Sequence, residues 1–279
     1  PLIRIFILLI LKIIFNTVFL YFFKLKIFGA VIATFCSYVV VTIWMYHDLF
    51  IKKDDMRLEI KKYKFIPPIV KKLLRIGFPS MISYMLIQLG FFLINTEVEK
   101  YGAISLNAQG IASNINSICF ILPASIGITV TSMVSMNMGI GNIKKSKKIF
   151  YCGIATSIVI AILIIALILP LDEVLTLSFT REKAVLEIAN KALNIYTYSV
   201  ISFGIFCVCQ GVFIALGRTK VPMFMSVLRI WFFRYLFILF TKSFLGVYSV
   251  FWGNLFSNMC AGILFFILVL KINWSNKNV

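Results

Sequence analysis

Eight apolar stretches, each long enough to cross a bilayer, fill nearly all of this 279-residue chain, and none of its ten Asp and Glu residues stands in the middle of one. About 20 apolar residues carry a helix across the hydrocarbon core, and the stretches 2–23, 27–47, 77–98, 112–139, 149–170, 190–215, 222–241 and 246–270 meet that length. A membrane β-barrel would read as ~10-residue segments of alternating polarity. The unbroken apolar runs 158–169 and 263–270 do not alternate. Only 14% of residues are charged and 61% are hydrophobic, against about 25% charged in a soluble domain. The predicted fold is an all-α membrane protein, a polytopic helix bundle whose chemistry is not carried by a buried carboxylate.

A formal net charge of +18 raises the question of nucleic acid, and the placement of the charges answers it. With the first residue cytoplasmic, that side receives eighteen of the 28 Lys and Arg residues, chiefly in the 48–76 loop and at Lys144, Lys145, Lys147 and Lys148. The other side receives seven, and Lys12, Arg229 and Arg234 fall within spans. This is positive-inside bias with both ends cytoplasmic, not a nucleic-acid footprint. The six cysteines all lie in spans and read as small packing residues; Cys207 and Cys209, two apart, diverge on a helix and do not make a metal pair. His47 is the single histidine and reads as interfacial. No convergent acids, His cluster or phosphate-binding Gly-Lys-Ser/Thr loop is present, so neither an enzyme, a metal site, a cofactor nor ATP hydrolysis is expected.

The hydrophilic segment 48–76 mixes lysines with Asp54, Asp55 and Glu59 and ends at Pro67-Pro68. It is expected to be a cytoplasmic linker between residues 1–47 and a six-helix piece, 77–279. A solvated charge run is preferred there over an amphipathic helix across 56–63. The second and last spans open similarly, Phe28-Gly29-Ala30 and Leu245-Gly246-Val247, each after a helix with a cation near its middle. Such an echo is expected where the last two helices of one six-helix half precede a whole second half. Pro1 is no initiator methionine and no signal-peptide layout follows it, so the expectation is a chain that begins partway, four helices short.

Several motifs carry a family likeness: Ile76-Gly77-Phe78-Pro79-Ser80 after the linker, Leu122-Pro123-Ala124-Ser125-Ile126-Gly127, the run from Val134 through Asn137, Gly139, Gly141 and Asn142 into the lysines, and Ala215-Leu216-Gly217-Arg218-Thr219-Lys220. Together they resemble the multidrug and toxic compound extrusion (MATE) family of secondary transporters, over helices five to twelve of twelve. The resemblance implies a two-lobed antiporter that exchanges a cytoplasmic organic compound for Na⁺ or H⁺ by alternating access. The chain departs from the family where acids bind the coupling cation: 85–91, 203–211 and 16–21 contain none. The resemblance therefore places the coupling site outside this fragment.

Polar side chains within spans face the bundle interior or a cavity rather than lipid. Tyr84, Gln88 and Asn95 form one stripe by their spacing. Asn114, Asn116 and Ser117, then Tyr196, Tyr198 and Gln210, belong to the next polar helices; Asn254 and Asn258 share a face and read as packing. Arg229 and Arg234 are costly in hydrocarbon, at least ~2.5–3.5 kcal/mol each on insertion scales, and need partners. Pro123 kinks its span, whereas Pro79 and Pro222 read as helix-start residues. The candidate cavity residues are Tyr84, Gln88, Asn95, Asn114, Asn116, Tyr198, Gln210 and Arg229, with interhelical packing as the alternative for each.

The expected function is a cation-coupled antiporter, a monomer in the cytoplasmic membrane, that exports amphipathic or cationic organic compounds. A flippase for lipid-linked precursors in the same superfamily, favoured by the two in-span arginines, and a truncated chain that does not transport are the alternatives.

Overall fold

The computed structural model describes residues 2–23, 26–50 and 67–274. Within these, eight helical spans are long and apolar enough to cross a membrane: Ile3–Phe22, Phe28–Asp48, Met81–Glu99, Ala103–Gly139, Ile143–Leu177, Lys183–Ala215, Lys220–Leu245 and Tyr248–Lys271. They match the eight apolar stretches in number and order. The chain divides into two compact units, residues 1–68 and 69–279.

The first unit holds α1 (Leu2–Thr17), continued by a π-helical turn over Val18–Phe22, and α2 (Lys26–Phe50). The two helices pack together. On α2, Gly29, Ala33, Ser37 and Val41 recur every four residues as a buried seam of small side chains. Ser37 satisfies its hydroxyl locally, donating to the carbonyl of Ala33 at 2.7 Å.

The second unit is built from α3 (Pro67–Glu99), α4 (Ala103–Gly139), α5 (Ile143–Ile168), α6 (Asp172–Leu177), α7 (Lys183–Ala215), α8 (Lys220–Val227), α9 (Leu236–Leu245) and α10 (Tyr248–Lys271). A 3₁₀ turn, Leu169–Leu171, joins α5 to α6, and an eight-residue π-helical stretch, Leu228–Tyr235, joins α8 to α9. Several helices run past the expected spans. α4 begins at Ala103 rather than 112 and α7 at Lys183 rather than 190, because a helix continues beyond the hydrocarbon wherever its backbone can still bond internally. α3 starts at Pro67, inside the stretch read as linker, with proline in the first turn where its missing N–H costs nothing. Pro79 consequently sits well inside α3 rather than at its start. Pro123 is buried within α4, and the segment 56–63, expected to be a solvated charge run, lies outside the described residues.

α7 is the centre of this unit. It packs against α4, α5 and α10, and 56% of its apolar window is buried against 17% for Ile143–Leu177. Aliphatic and aromatic side chains fill two main clusters. One gathers Val134, Phe150, Phe206, Val212, Phe213 and Phe265; the other gathers Ile94, Ile115, Leu193, Tyr196, Ile230 and Phe251. Between α4 and α7 the approach is backbone to backbone. A Cβ on Gly127 would lie 2.7 Å from the Cys207 carbonyl oxygen, and one on Gly211 would overlap the Gly127 carbonyl. α10 closes similarly, with Gly262 set against the Ser202 carbonyl.

Two turns explain the glycine motifs. After α4, the Asn142 N–H bonds to the Asn137 carbonyl at 2.8 Å around Gly141 at φ 76°. After α7, the Arg218 N–H bonds to the Phe213 carbonyl at 2.9 Å around Gly217 at φ 70°. Both are six-to-one closures of a helix end around a left-handed residue, where glycine carries no Cβ penalty. Asn142 then caps α5, its side chain accepting from the Lys145 N–H at 3.0 Å.

Gly127→Val is expected to force α4 and α7 apart and destabilise the protein by about 1–3 kcal/mol. Gly139→Ala, with open space around the site, leaves thermal unfolding in detergent unchanged. Equal melting temperatures for the two variants would show that the crossing does not carry the fold.

Candidate functional site

The polar residues of the second unit converge on a cavity of about 610 Å³ between α3, α4, α7, the π-helical stretch and α10. α3 contributes Phe91 and Asn95; α4 contributes a polar strip that includes Gln109, Ser113, Asn114, Asn116 and Ser117; α7 contributes Tyr196 and Phe203. Arg229 and Arg234 enter from the π-helical stretch and Asn254 from α10. The polar strip on α4 follows helical spacing, since Gln109, Ser113 and Asn116 lie three, four and seven apart and Ser117 follows Ser113 by four.

The local backbone is what brings the two arginines together. Five residues along an α-helix turn the side chain through about 140° from its starting direction, onto different faces. In a π-helix the i→i+5 hydrogen bonding sets residues five apart above one another. Arg229 and Arg234 stand five apart within Leu228–Tyr235 and both line the cavity.

Each guanidinium is held by neutral groups. Arg229 donates from Nη1 to Asn258 Oδ1 at 2.7 Å and lies over the rings of Phe203 and Phe206 at 5.4 and 5.0 Å. Asn258 is itself oriented, donating to the carbonyl and side-chain oxygens of Asn254 at 2.9 and 3.1 Å, while Asn254 donates to Ser199 Oγ at 3.3 Å. The paired asparagines read as packing in the sequence thus form a relay that aims an arginine. Arg234, 6% exposed, lies over Phe91 at 5.7 Å and beside the Tyr196 hydroxyl. The Nε atoms of both arginines, the Tyr196 hydroxyl and the carbonyl oxygens of Gln109 and Asn116 have no hydrogen-bond partner.

The sequence-predicted residues divide between places. Asn95, Asn114, Asn116 and Arg229 line this cavity, with Gln109 donating to Asn95 Oδ1 at 3.0 Å. Tyr84 and Gln210 line a second cavity of about 330 Å³ with Ser83, Thr219 and Ser226. Gln88 joins neither; it donates to the Tyr84 hydroxyl at 3.0 Å. Tyr198 is exposed and lines neither cavity. Gln109 was missed because it falls in the stretch 99–111 read as an extramembrane loop. The heptad step from Gln109 to Asn116 was the signal that could have found it.

Among the described residues one carboxylate is buried, at a helix end rather than in the middle of a span. Glu97, 8% exposed at the end of α3, accepts from Lys100 at 2.6 Å and from Lys242 of α9 at 3.4 Å. Its ion pairs clamp α3 to α9, and the Lys100 ammonium is held above the usual lysine range by its hydrogen bond to Glu97. Both lysines are well exposed, so solvent screens the clamp.

Known proteins share this architecture. Residues 79–240 match the family model described as MatE. The chain is 25% identical to the "Probable multidrug resistance protein YoeA" of Bacillus subtilis, over 75% of this chain and 46% of the relative. It is 23% identical to "Multidrug and toxin extrusion protein 1" of Mus musculus, over 72% of this chain and 36% of the relative. These curated relatives are thus covered over less than half their length. A solved structure described as the outward-facing conformation of a multidrug resistance MATE family transporter of the MOP superfamily superposes with a TM-score of 0.87 at 20% identity, over 95% of this chain and 60% of the other.

If Glu97 clamps α3 to α9, Glu97→Gln lowers the melting temperature by a few degrees at most, and adding Lys242→Ala lowers it no further. Additive losses in this double-mutant cycle would mean that the two residues act independently.

Proposed function

The chain belongs to the MatE family, and from that premise we propose that it forms the substrate-binding part of a secondary transporter that exports small amphipathic organic compounds across the cytoplasmic membrane in exchange for Na⁺ or H⁺. The observation that carries this reading is the cavity itself. A polar recess of about 610 Å³ among apolar helices matches the size of drug-sized ligand sites, roughly 300–1,000 Å³, and joins aromatic walls to a few convergent polar groups. In hydrocarbon, so many polar atoms without partners are tolerated where they meet water or a ligand.

In this reading Asn95, Asn114, Asn116 and Arg229 contact the substrate. Phe91, Phe120 and Phe203, which line the same cavity, supply adaptable apolar surface. Tyr84 and Gln210, in the second cavity, meet the compound at another depth of its path, and Gln88 holds the Tyr84 hydroxyl. Among the described residues no carboxylate lines either cavity, so ion coupling uses a carboxylate elsewhere in the working protein. Both ends of this chain face the cytoplasm, by the distribution of its lysines and arginines, and a single copy suffices for transport.

The test is efflux from bacterial cells that produce the protein carrying this chain and are loaded with a panel of fluorescent amphiphiles of either charge. Lower accumulation of at least one compound, abolished when the Na⁺ and proton gradients are collapsed together, is the expected result. Asn95→Ala should slow export by roughly two- to tenfold, the loss of one hydrogen bond, at unchanged protein level. Accumulation equal to that of non-producing cells for every compound would leave a membrane protein that does not transport.

A further inference from the structure

We propose that the larger cavity binds the anionic end of its organic ligand, a carboxylate or a phosphate, on Arg229 and Arg234. The proposal rests on the transport reading and fixes the sign of the charge, where the sequence admitted cationic compounds.

The argument begins with charge that nothing cancels. Both guanidinium groups line one cavity, and their contacts are neutral: Asn258 and two phenylalanine rings for Arg229, and the Phe91 ring for Arg234. The Asn258 hydrogen bond orients the Arg229 guanidinium, and none of these contacts compensates either positive charge. Among the described residues no carboxylate lines the cavity. Glu97, two residues beyond Asn95, is already engaged by Lys100 and Lys242. A charge in a low-dielectric site is retained when it is paired, and the missing partner here is an anion.

The donors are also arranged for an oxyanion. Arg234 is 94% buried, and its Nε has no partner; the same is true of Arg229 Nε. Guanidinium groups present N–H donors in a planar fork that matches carboxylate and phosphate oxygens. The π-helical stretch directs both forks into one space, and the Asn258–Asn254–Ser199 relay holds one of them in place before a ligand arrives. The unpartnered carbonyl oxygens of Gln109 and Asn116 suit a hydroxyl or amide N–H adjoining the anionic group. The aromatic lining suits its apolar remainder. A cationic ligand would face two like charges where the dielectric gives little screening.

The experiment is calorimetric titration of the purified protein carrying this chain in phosphatidylcholine nanodiscs, corrected for empty discs, with octyl phosphate and octyltrimethylammonium. These probes share a tail and differ in charge. Octyl phosphate is expected to bind at least about tenfold more tightly, and Arg229→Gln or Arg234→Gln should each weaken it by about tenfold, with partial recovery in Arg229→Lys. The preference of the unaltered protein decides the matter even where a glutamine variant does not fold. Tighter or equal binding of octyltrimethylammonium, or binding of neither probe, overturns the assignment. The efflux assay, run with amphiphiles of both charges, stands or falls separately. Replacing phosphatidylcholine by phosphatidylglycerol separates the two sources of such an anion. Competition that weakens octyl phosphate assigns the site to a lipid headgroup, and unchanged affinity assigns it to a water-soluble organic anion.

Discussion

Inside a bilayer the apolar surface of one helix gains nothing by leaving lipid for another helix, so association depends on how closely backbones can approach. Here the closest approach joins α4 to α7, where Gly127 and Gly211 allow carbonyl groups of one helix to stand where side chains would otherwise be. That crossing sets the rotation and depth of α7. It places Tyr196 and Phe203 opposite the polar strip of α4, and Phe203 with Phe206 beneath the Arg229 guanidinium. The same helix meets α10 at Gly262, which brings Asn258 and Asn254 to the site. The cavity is thus a by-product of where three backbones can touch.

Much of the architecture was legible in the chain because a bilayer filters sequences so strongly. Length and hydropathy were enough for the number and order of the spans. Helix ends were less legible: the hydrocarbon dictates where a helix must be apolar and says nothing of where it stops, so Ala103–Ile111 and Pro67–Ile76 continued as helix in stretches that looked like loop. The glycine motifs were recognised by resemblance, and their physical basis emerged only with the six-to-one turns at Gly141 and Gly217. The π-helical stretch left no pattern at all in the residues, since hydrophobic periodicity over eight positions cannot separate it from an α-helix.

The candidate site shows the same division. Which side chains avoid lipid could be read from their polarity; which of them meet could not. Tyr84, Gln88 and Asn95 share a stripe, yet eleven residues of α-helix separate its ends by about 16 Å. Asn95 reaches Gln109 while Tyr84 sits at the level of Gln210 and Thr219. A stripe specifies direction around a helix axis, and a cavity also needs depth along it. Arg234 illustrates the converse: it looked unpartnered in the sequence because no acid was near, and its surroundings are indeed neutral groups.

The π-helical stretch carries one more implication, for how such a site changes over generations. Its geometry is equivalent to one extra residue wound into an ordinary helix, so a single-codon deletion between positions 229 and 234 would restore α-helical winding. The arginines would then stand four apart and the flanking helices would keep their register, because the π-helical turn is where the extra residue is absorbed. Insertion or loss of one residue here would therefore re-aim side chains within Leu228–Tyr235 while leaving the helices on either side in place.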